Sequence, residues 1–449
     1  MPDALRTLLA TMEVMQPAFT RPGFRNAWVI FAGWVLTMGT HAVTQSLVVT
    51  DVARRIHHER FHRFFSRGAW KPDAVGRLLF DRILVRLIGP DERIVAALDD
   101  TLASKKGPAV WGIGSHLDAV RSTKQFRVFC FGHVWVVLSI VVAVPFSPRM
   151  WSLPVLFRLY RNKKECEKRG DLYRKKTELG REMVDVLVGW IGARKLDVVA
   201  DSAYCNDTLM NSCDRRVTVI GTIRPDAVLT APPTQAERKH TGRRRKRGKL
   251  LPKPEQVFAD RRRPWKTIKL TLYGRPTVVH YKTMVAQWYR GAGTQPGRIV
   301  IVRVDEGKIP MRVFFCADPE RDVLDILLTY SWRWSLEVCF KDLKQLLGFA
   351  DSSARKRQAV ERAAPFAGYA YTMLVLCFAE GIWSTPVAAP PIRPWYTHRT
   401  HASFADVLRA AQRTLCSVDV SDLGCDLDNL HELSQPEPIP AVQALKRAS

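Results

Sequence analysis

The chain has 449 residues, 47% of them apolar, and a formal charge of +26 from 69 Lys/Arg against 43 Asp/Glu. That apolar share excludes a disordered tail or a small disulfide scaffold, and a length about three times the ~150-residue domain prior calls for two to four units. So large a positive charge on a globular chain points to a polyanionic partner, nucleic acid ahead of an anionic membrane.

Residues 1–90 read as mostly helical. Within them Asp51–Trp70 interleaves Arg54, Arg55, His57, His58, Arg60, His62, Arg63 and Arg67 with Phe61, Phe64 and Phe65. Two readings stand: cations on phosphates with the aromatics packed inward or stacked, or an amphipathic helix with a solvated basic face. The opening MPDALRTLLATMEVM lacks the basic-then-apolar layout of a signal peptide. Nine cysteines run from Cys130 to Cys425, an odd number with no C-x-x-C pair. Neither a zinc site on paired cysteines nor a secreted disulfide framework is expected, and reduced thiols in a cytoplasm are the simple reading.

From Arg93 the pattern changes. RIVAAL runs into Asp99-Asp100-Thr101, which reads as a buried strand ending in a carboxylate pair. Val128–Phe146 is a 19-residue run without formal charge, long enough for a membrane helix. Its valines, Gly132, His133 and closing Pro145 are strand and breaker features, so the expectation is one long buried strand or two, and no membrane. Tyr160–Gly180 is charged and helical in character and continues into REMVDVLVGWIGA. LDVVADSAY then repeats the earlier motif, a short apolar strand with Asp201 at its end, and RVTVIGTIR is a further strand. Strands alternating with helices predict an α/β layer fold.

Residues 230–265 differ in composition. Between Thr234 and Arg290 there are 17 Lys/Arg and 3 Asp/Glu, more than half of the chain's excess charge. The cluster RKHTGRRRKRGK, with Arg243, Arg244 and Arg245, reads as a nonspecific phosphate clamp; a solubility feature is the plainer alternative. Alternating strands follow, with hairpin signals at Gly274 and Asp305-Glu306-Gly307, so a β-rich insert is expected over 230–320. Helix returns over Pro319–Phe349 and Val360–Gly381. The tail beyond Pro390, with 6 Lys/Arg against 7 Asp/Glu, reads as peripheral.

Three carboxylates stand out. Asp100 and Asp201 each end a strand, where a rigid backbone presents a side chain; a turn or helix cap is the ordinary role of an aspartate there. The third is Glu337, in YSWRWSLEVCFKDLKQLLG. On one continuous helix Tyr330, Arg333, Glu337, Lys341 and Lys344 share about 80° of arc over about 20 Å. One carboxylate among cations reads as a phosphate-binding stripe holding one metal ligand. Two aspartates and a glutamate offer hard oxygens suited to Mg²⁺ or Mn²⁺, and a pair of such ions serves phosphoryl transfer on DNA. No serine elbow, H-E-x-x-H or G-x-x-x-x-G-K-[ST] phosphate loop competes.

The spacing Tyr330-x2-Arg333-x3-Glu337-x6-Lys344 resembles the Y-x2-R-x3-E-x6-K signature of the insertion-sequence-four-like DDE transposases of bacteria. Asp99-Asp100-Thr101 resembles their first acidic block, in which the aspartate before the threonine is the metal ligand. That assigns Asp100, with Asp99 as its neighbour, and VVADSAY resembles the second block and assigns Asp201. The resemblance covers roughly residues 90–390. It implies an RNase H-like catalytic core, with Asp100, Asp201 and Glu337 as catalytic residues and ligands of Mg²⁺ or Mn²⁺, two ions together. The implied layout is a helical DNA-binding region at 1–90, the first part of the core at 91–229, the basic β-rich insertion between the second Asp and the Glu at 230–320, the second part at 321–390 with the glutamate helix, and a tail at 391–449. The implied partner is double-stranded DNA: the terminal inverted repeats of the chain's own element and the target, held by a homodimer among the nucleoid of a bacterial cytoplasm. Tyr330, Arg333, Lys341 and Lys344 would hold the DNA backbone. In relatives an aromatic residue of the insert holds a flipped base; Trp288 is the candidate here, and a strand tryptophan packed on the insert's core is its plainer reading.

Two other classes remain from the sequence. A transposase-derived DNA-binding protein without activity keeps the basic surfaces, and a basic membrane protein rests on Val128–Phe146 alone.

Overall fold

The computed structural model describes residues 3–107, 109–211, 213–234, 245–272, 275–304, 309–389, 395 and 401–416. Five helices open the chain: α1 (Asp3–Glu13), α2 (Arg21–Leu36), α3 (Val43–Val49), α4 (Glu59–Ser66) and α5 (Pro72–Leu87). Strands β1 (Ile94–Ser104), β2 (Gly114–Leu117), β3 (Phe129–Val144) and β4 (Ser147–Tyr160) follow, then α6 (Lys163–Arg169) and α7 (Lys176–Trp190). Next come β5 (Leu196–Ala200), α8 (Asp207–Met210), β6 (Val217–Thr222), α9 (Pro254–Ala259), β7 (Lys266–Leu272), β8 (Arg275–Gln287), α10 (Tyr289–Ala292), β9 (Pro296–Val304) and β10 (Ile309–Cys316). The last helices are α11 (Val323–Ser331), α12 (Trp334–Leu346), α13 (Arg357–Glu380) and α14 (Phe404–Cys416). The fold is mixed α/β, as the alternation of patterns predicts. The chain forms two compact units, one of Met1–Pro90, Asp100–Arg174 and Leu336 onward, the other of Asp91–Asp99 and Lys175–Ser335.

In the first unit β3 pairs antiparallel with β2 and with β4. The uncharged run at 128–146 is therefore one long strand, buried from Gly132 onward. β4 was hidden in the sequence by Pro148 and Pro154, which break the strand pattern. Helices α5 and α13 pack on β4. Gly76 of α5 permits the approach: a Cβ there would sit 2.0 Å from the Val155 carbonyl oxygen. Glu380 at the end of α13 is clasped by Arg82 and faces Arg86 at 3.7 Å. α13 is long and apolar enough to cross a membrane, and 94% of its apolar window is buried inside the protein. α14, within the stretch read as peripheral, is a core helix: Phe404 stacks on Tyr371 at 4.2 Å. The Asp51–Trp70 segment turns Phe61, Phe64 and Phe65 inward and leaves Arg60, Arg63 and Arg67 exposed.

His133 lies buried in β3, its Nε2–H donating to the Trp111 carbonyl at 2.9 Å. Burial pushes its imidazole down to about 4 from 6.5. Between those values an unfolded chain takes up a proton that the folded chain refuses. Stability present above pH 6.5 is therefore lost as pH falls toward 4, by about 3 kcal/mol in all. His133→Phe is expected to flatten the fall in urea midpoint between pH 7 and pH 4.5. An unchanged slope would show that other groups drive the acid loss.

In the second unit β1 pairs parallel with β5, Ile94 beside Leu196 through Leu98 beside Ala200, and β5 pairs parallel with β6. The run continues antiparallel through β10, β9, β8 and β7. β5 is buried at every position, which is why it reads as an unbroken apolar stretch. The one charge inside it, Asp197, is met by the guanidinium of Arg93, with Nε 3.0 Å from both oxygens, and by Arg321 Nη2 at 2.9 Å. The core of this unit gathers Leu229, Val257, Ile299, Val313 and Phe315. The hairpin signals at Gly274 and Asp305-Glu306-Gly307 lie outside the described residues.

Candidate active site

Parallel pairing sets the end of β5 beside the middle of β1, which runs on to Ser104; the strand expected to end at the carboxylate pair therefore continues through it. Leu98 stands beside Ala200, so the next residues along the two chains are Asp99 and Asp201. Successive strand residues point to opposite faces. Asp99 and Asp100, both within β1, accordingly point to opposite faces of the strand. The partners of each aspartate agree. Arg333 Nη1 donates to Asp99 Oδ2 at 2.6 Å. The Asp100 carboxylate, on the opposite side, helps raise the Tyr160 phenol above its ordinary range, after burial and the 3.3 Å contact with Tyr173. Carried one residue beyond Leu98 and Ala200, the register brings Asp99 level with Asp201, while the motif assigns Asp100.

Asp201 is half-buried. Its Oδ1 accepts the backbone N–H groups of Ala203 at 2.9 Å and Tyr204 at 3.3 Å. That is the turn-cap geometry common for aspartate after a strand, and it fixes the carboxylate at the strand end.

The expected single helix over Tyr330–Gly348 is two helices. α11 ends at Ser331 and α12 begins at Trp334. Between them the backbone tightens, Arg333 N–H bonding to Tyr330 O at 3.1 Å and Ser335 N–H to Trp332 O at 3.0 Å. The Ser331 hydroxyl donates to Leu328 O and the Ser335 hydroxyl to Trp332 O, both at 2.7 Å. Serine hydroxyls that bond back to the backbone compete with the helical ladder, and two of them flank the break. The common face drawn for Tyr330 through Lys344 therefore does not hold. Tyr330 is 7% exposed, its ring 4.9 Å from Phe314 and topped by Arg333. Glu337 is half-buried on the first turn of α12, and Lys341 and Lys344 are exposed farther along it.

Trp288 is half-buried and packs on Phe315, with ring centroids 5.6 Å apart; a Cβ on Gly291 would meet its ring at 2.3 Å. It takes the packed-tryptophan role rather than an open stacking face. Arg243 and Arg244 lie outside the described residues, and Arg245 is exposed. Nearby, Lys282 is buried, donating to the Val257, Phe258 and Asp260 carbonyls at 3.0, 3.1 and 2.8 Å. Sequence reasoning passed over Asp197, because its alternation with Asp201 is hidden in an all-buried strand.

A family model described as a DDE superfamily endonuclease matches residues 14–293. The chain belongs to the DDE endonuclease superfamily. The matched stretch of this DDE endonuclease holds Asp99, Asp100 and Asp201 and stops short of Tyr330–Lys344. A cryo-EM structure of the piggyBac transposase synaptic complex with hairpin DNA is similar over 94% of this chain and 77% of that one, at 10% identity and a TM-score of 0.44. No curated protein sequence matches.

Asp99 and Asp201 supply two hard carboxylates of the kind that suit magnesium. Among the described residues no group of three His, Cys, Asp or Glu side chains could hold an ion. The donor chemistry therefore fits a divalent cation, while the donor number falls short of a closed cage.

Proposed function

We propose that this DDE endonuclease is a DNA transposase of the insertion-sequence-four-like group, cutting and joining strands at the terminal inverted repeats of its own element. The observation that carries the reading is the pair of carboxylates, Asp99 within β1 and Asp201 just past the end of β5, on two parallel strands in a chain of this superfamily. The proposed triad is completed by Glu337. Its first member is Asp99 by register and Asp100 by motif. The proposed core is RNase H-like with a basic β-rich insert, the proposed cofactor is Mg²⁺ or Mn²⁺ as two ions, and a homodimer binds the DNA in a bacterial cytoplasm without a membrane. Such ions, when bound, help deprotonate an attacking hydroxyl and stabilise the leaving oxygen. Lys341 and Lys344, exposed on α12, and Arg245 in the basic segment are proposed to bind backbone phosphates.

The test is strand cleavage. Purified protein is mixed with a plasmid carrying the inverted repeats that flank its gene, in Mg²⁺, Mn²⁺ or EDTA, beside Asp201→Asn and Glu337→Gln. Asparagine keeps the Oδ1 that caps the turn, so Asp201→Asn isolates the charge. Metal-dependent nicks at the repeat boundary, absent from both variants, are expected. Tight binding of the ends with no nick in either metal would identify a DNA-binding protein of transposase ancestry and discard the catalytic assignments.

A further inference from the structure

A cavity of about 410 Å³ opens in the first unit between α2, α3, α4 and the start of α13, and none of the proposed catalytic carboxylates lines it. That volume lies in the range of small-molecule pockets. Trp34 and Phe65 form apolar wall, and the mouth carries Arg63, Arg67, Arg355 and Lys356 against one acid, Glu59, which Arg63 already holds at 2.6 Å. The floor is His41. Its side chain is 6% exposed; the Asp351 carboxylate stands 3.6 Å from Nδ1, and neither ring nitrogen makes a hydrogen bond of ordinary length. A buried polar group held only by such long contacts keeps capacity for a better hydrogen bond, which a ligand in the cavity can supply.

The floor is also built rigidly. The Trp34 indole N–H donates to Leu347 O at 2.7 Å, and the His41 backbone N–H donates to Asp351 at 2.9 Å. Gly348, with φ of 55°, lies so close beneath that a Cβ would come within 2.5 Å of His41. Burial holds the imidazole below its ordinary range, so at neutral pH it offers one donor and one acceptor. A neutral donor–acceptor floor suits the edge of a heterocycle, whereas the cations of the mouth suit a phosphate.

We propose that this cavity receives a single unpaired nucleotide, its base on His41 between apolar walls and its phosphate at Arg67 and Lys356. The inference rests on the nucleic-acid partner of the proposed function and not on cleavage. The same chemistry would accept a free nucleotide, and the experiment separates the two sources. Three probes are used with the full chain: a DNA duplex with one unpaired nucleotide, the same duplex with an abasic residue there, and dAMP alone. Binding is read by fluorescence anisotropy and equilibrium dialysis.

Wild type is expected to prefer the unpaired nucleotide over the abasic residue by roughly tenfold, the worth of one well-made buried hydrogen bond. His41→Phe removes buried polar atoms held only by long contacts, so its thermal midpoint is expected to stay near wild type while the preference disappears. A purely structural histidine would leave the preference untouched. Arg67→Glu, on an exposed side chain that needs no repacking, is expected to weaken the unpaired-nucleotide duplex more than the abasic one. Binding of dAMP that depends on His41, without preference between duplexes, keeps the pocket and assigns it to a free nucleotide. Equal affinity for both duplexes with no dAMP binding overturns the pocket and leaves the DNA-binding reading standing. Failure to bind any probe overturns both.

Discussion

Asp197→Ala is expected to destabilise the second unit by about 3–5 kcal/mol, the usual result of removing one partner from a buried ion pair. The side chain is 1% exposed, and Arg93 and Arg321 converge on it with side chains 30% and 10% exposed. Without the carboxylate the two guanidinium groups face each other in a site that cannot fully hydrate them. A loss of that size is a large part of the 5–15 kcal/mol that typically holds a domain. Asp197→Asn keeps an acceptor and is expected to fall between. Urea melts of both variants decide it: an alanine cost below about 1 kcal/mol would mean that the arginines turn to solvent and that the pair adds little.

The other large effect concerns the adjacent aspartates. Asp99→Asn is expected to abolish strand cleavage, and Asp100→Asn to leave it within a fewfold of wild type. The substitutions are isosteric and sit one residue apart, so a general loss of folding would strike both. Asp99 is level with Asp201 when the strand register is carried one residue on, and it accepts from Arg333, whereas Asp100 acts electrostatically on Tyr160. The reverse pattern, inactive Asp100→Asn and active Asp99→Asn, would return the assignment to the motif and discard the argument from register. A nicking assay in Mg²⁺, with far-ultraviolet circular dichroism as a folding control, separates the two.

That pair shows where the sequence stops informing. An apolar run reaching two carboxylates is legible as a strand, and β5 is where LDVVA places it; β1 starts with RIVAAL as expected but runs on through both aspartates to Ser104, so they do not stand at its tip. Which aspartate turns toward the site depends on how β1 aligns with β5, and one residue of slip exchanges the faces. The break before α12 was missed for a similar reason. No Gly or Pro marks it, and serine hydroxyls act there only through the backbone they happen to reach. The pocket floor was invisible as well, because His41 acquires its meaning from Gly348 and Asp351, some 310 residues away. By contrast, the inward phenylalanines of α4 and the long apolar β3 follow from local periodicity, which a single sequence carries in full.

Neither unit is continuous along the chain, and this has a consequence during synthesis. Residues 91–99 wait for 175–335, and the amino-terminal helices wait for the segments from Leu336 onward. Asp197 emerges with Arg93 already made and Arg321 still 124 residues away. A nascent chain therefore exposes β3, β4 and the apolar faces of α2 and α5 for most of its translation. Contacts of such long range form slowly, and unfinished apolar surface and bare strand edges are what aggregation and chaperones both recognise. Truncation anywhere before α13 leaves the first unit short of its core, even where every segment of the second has already been made.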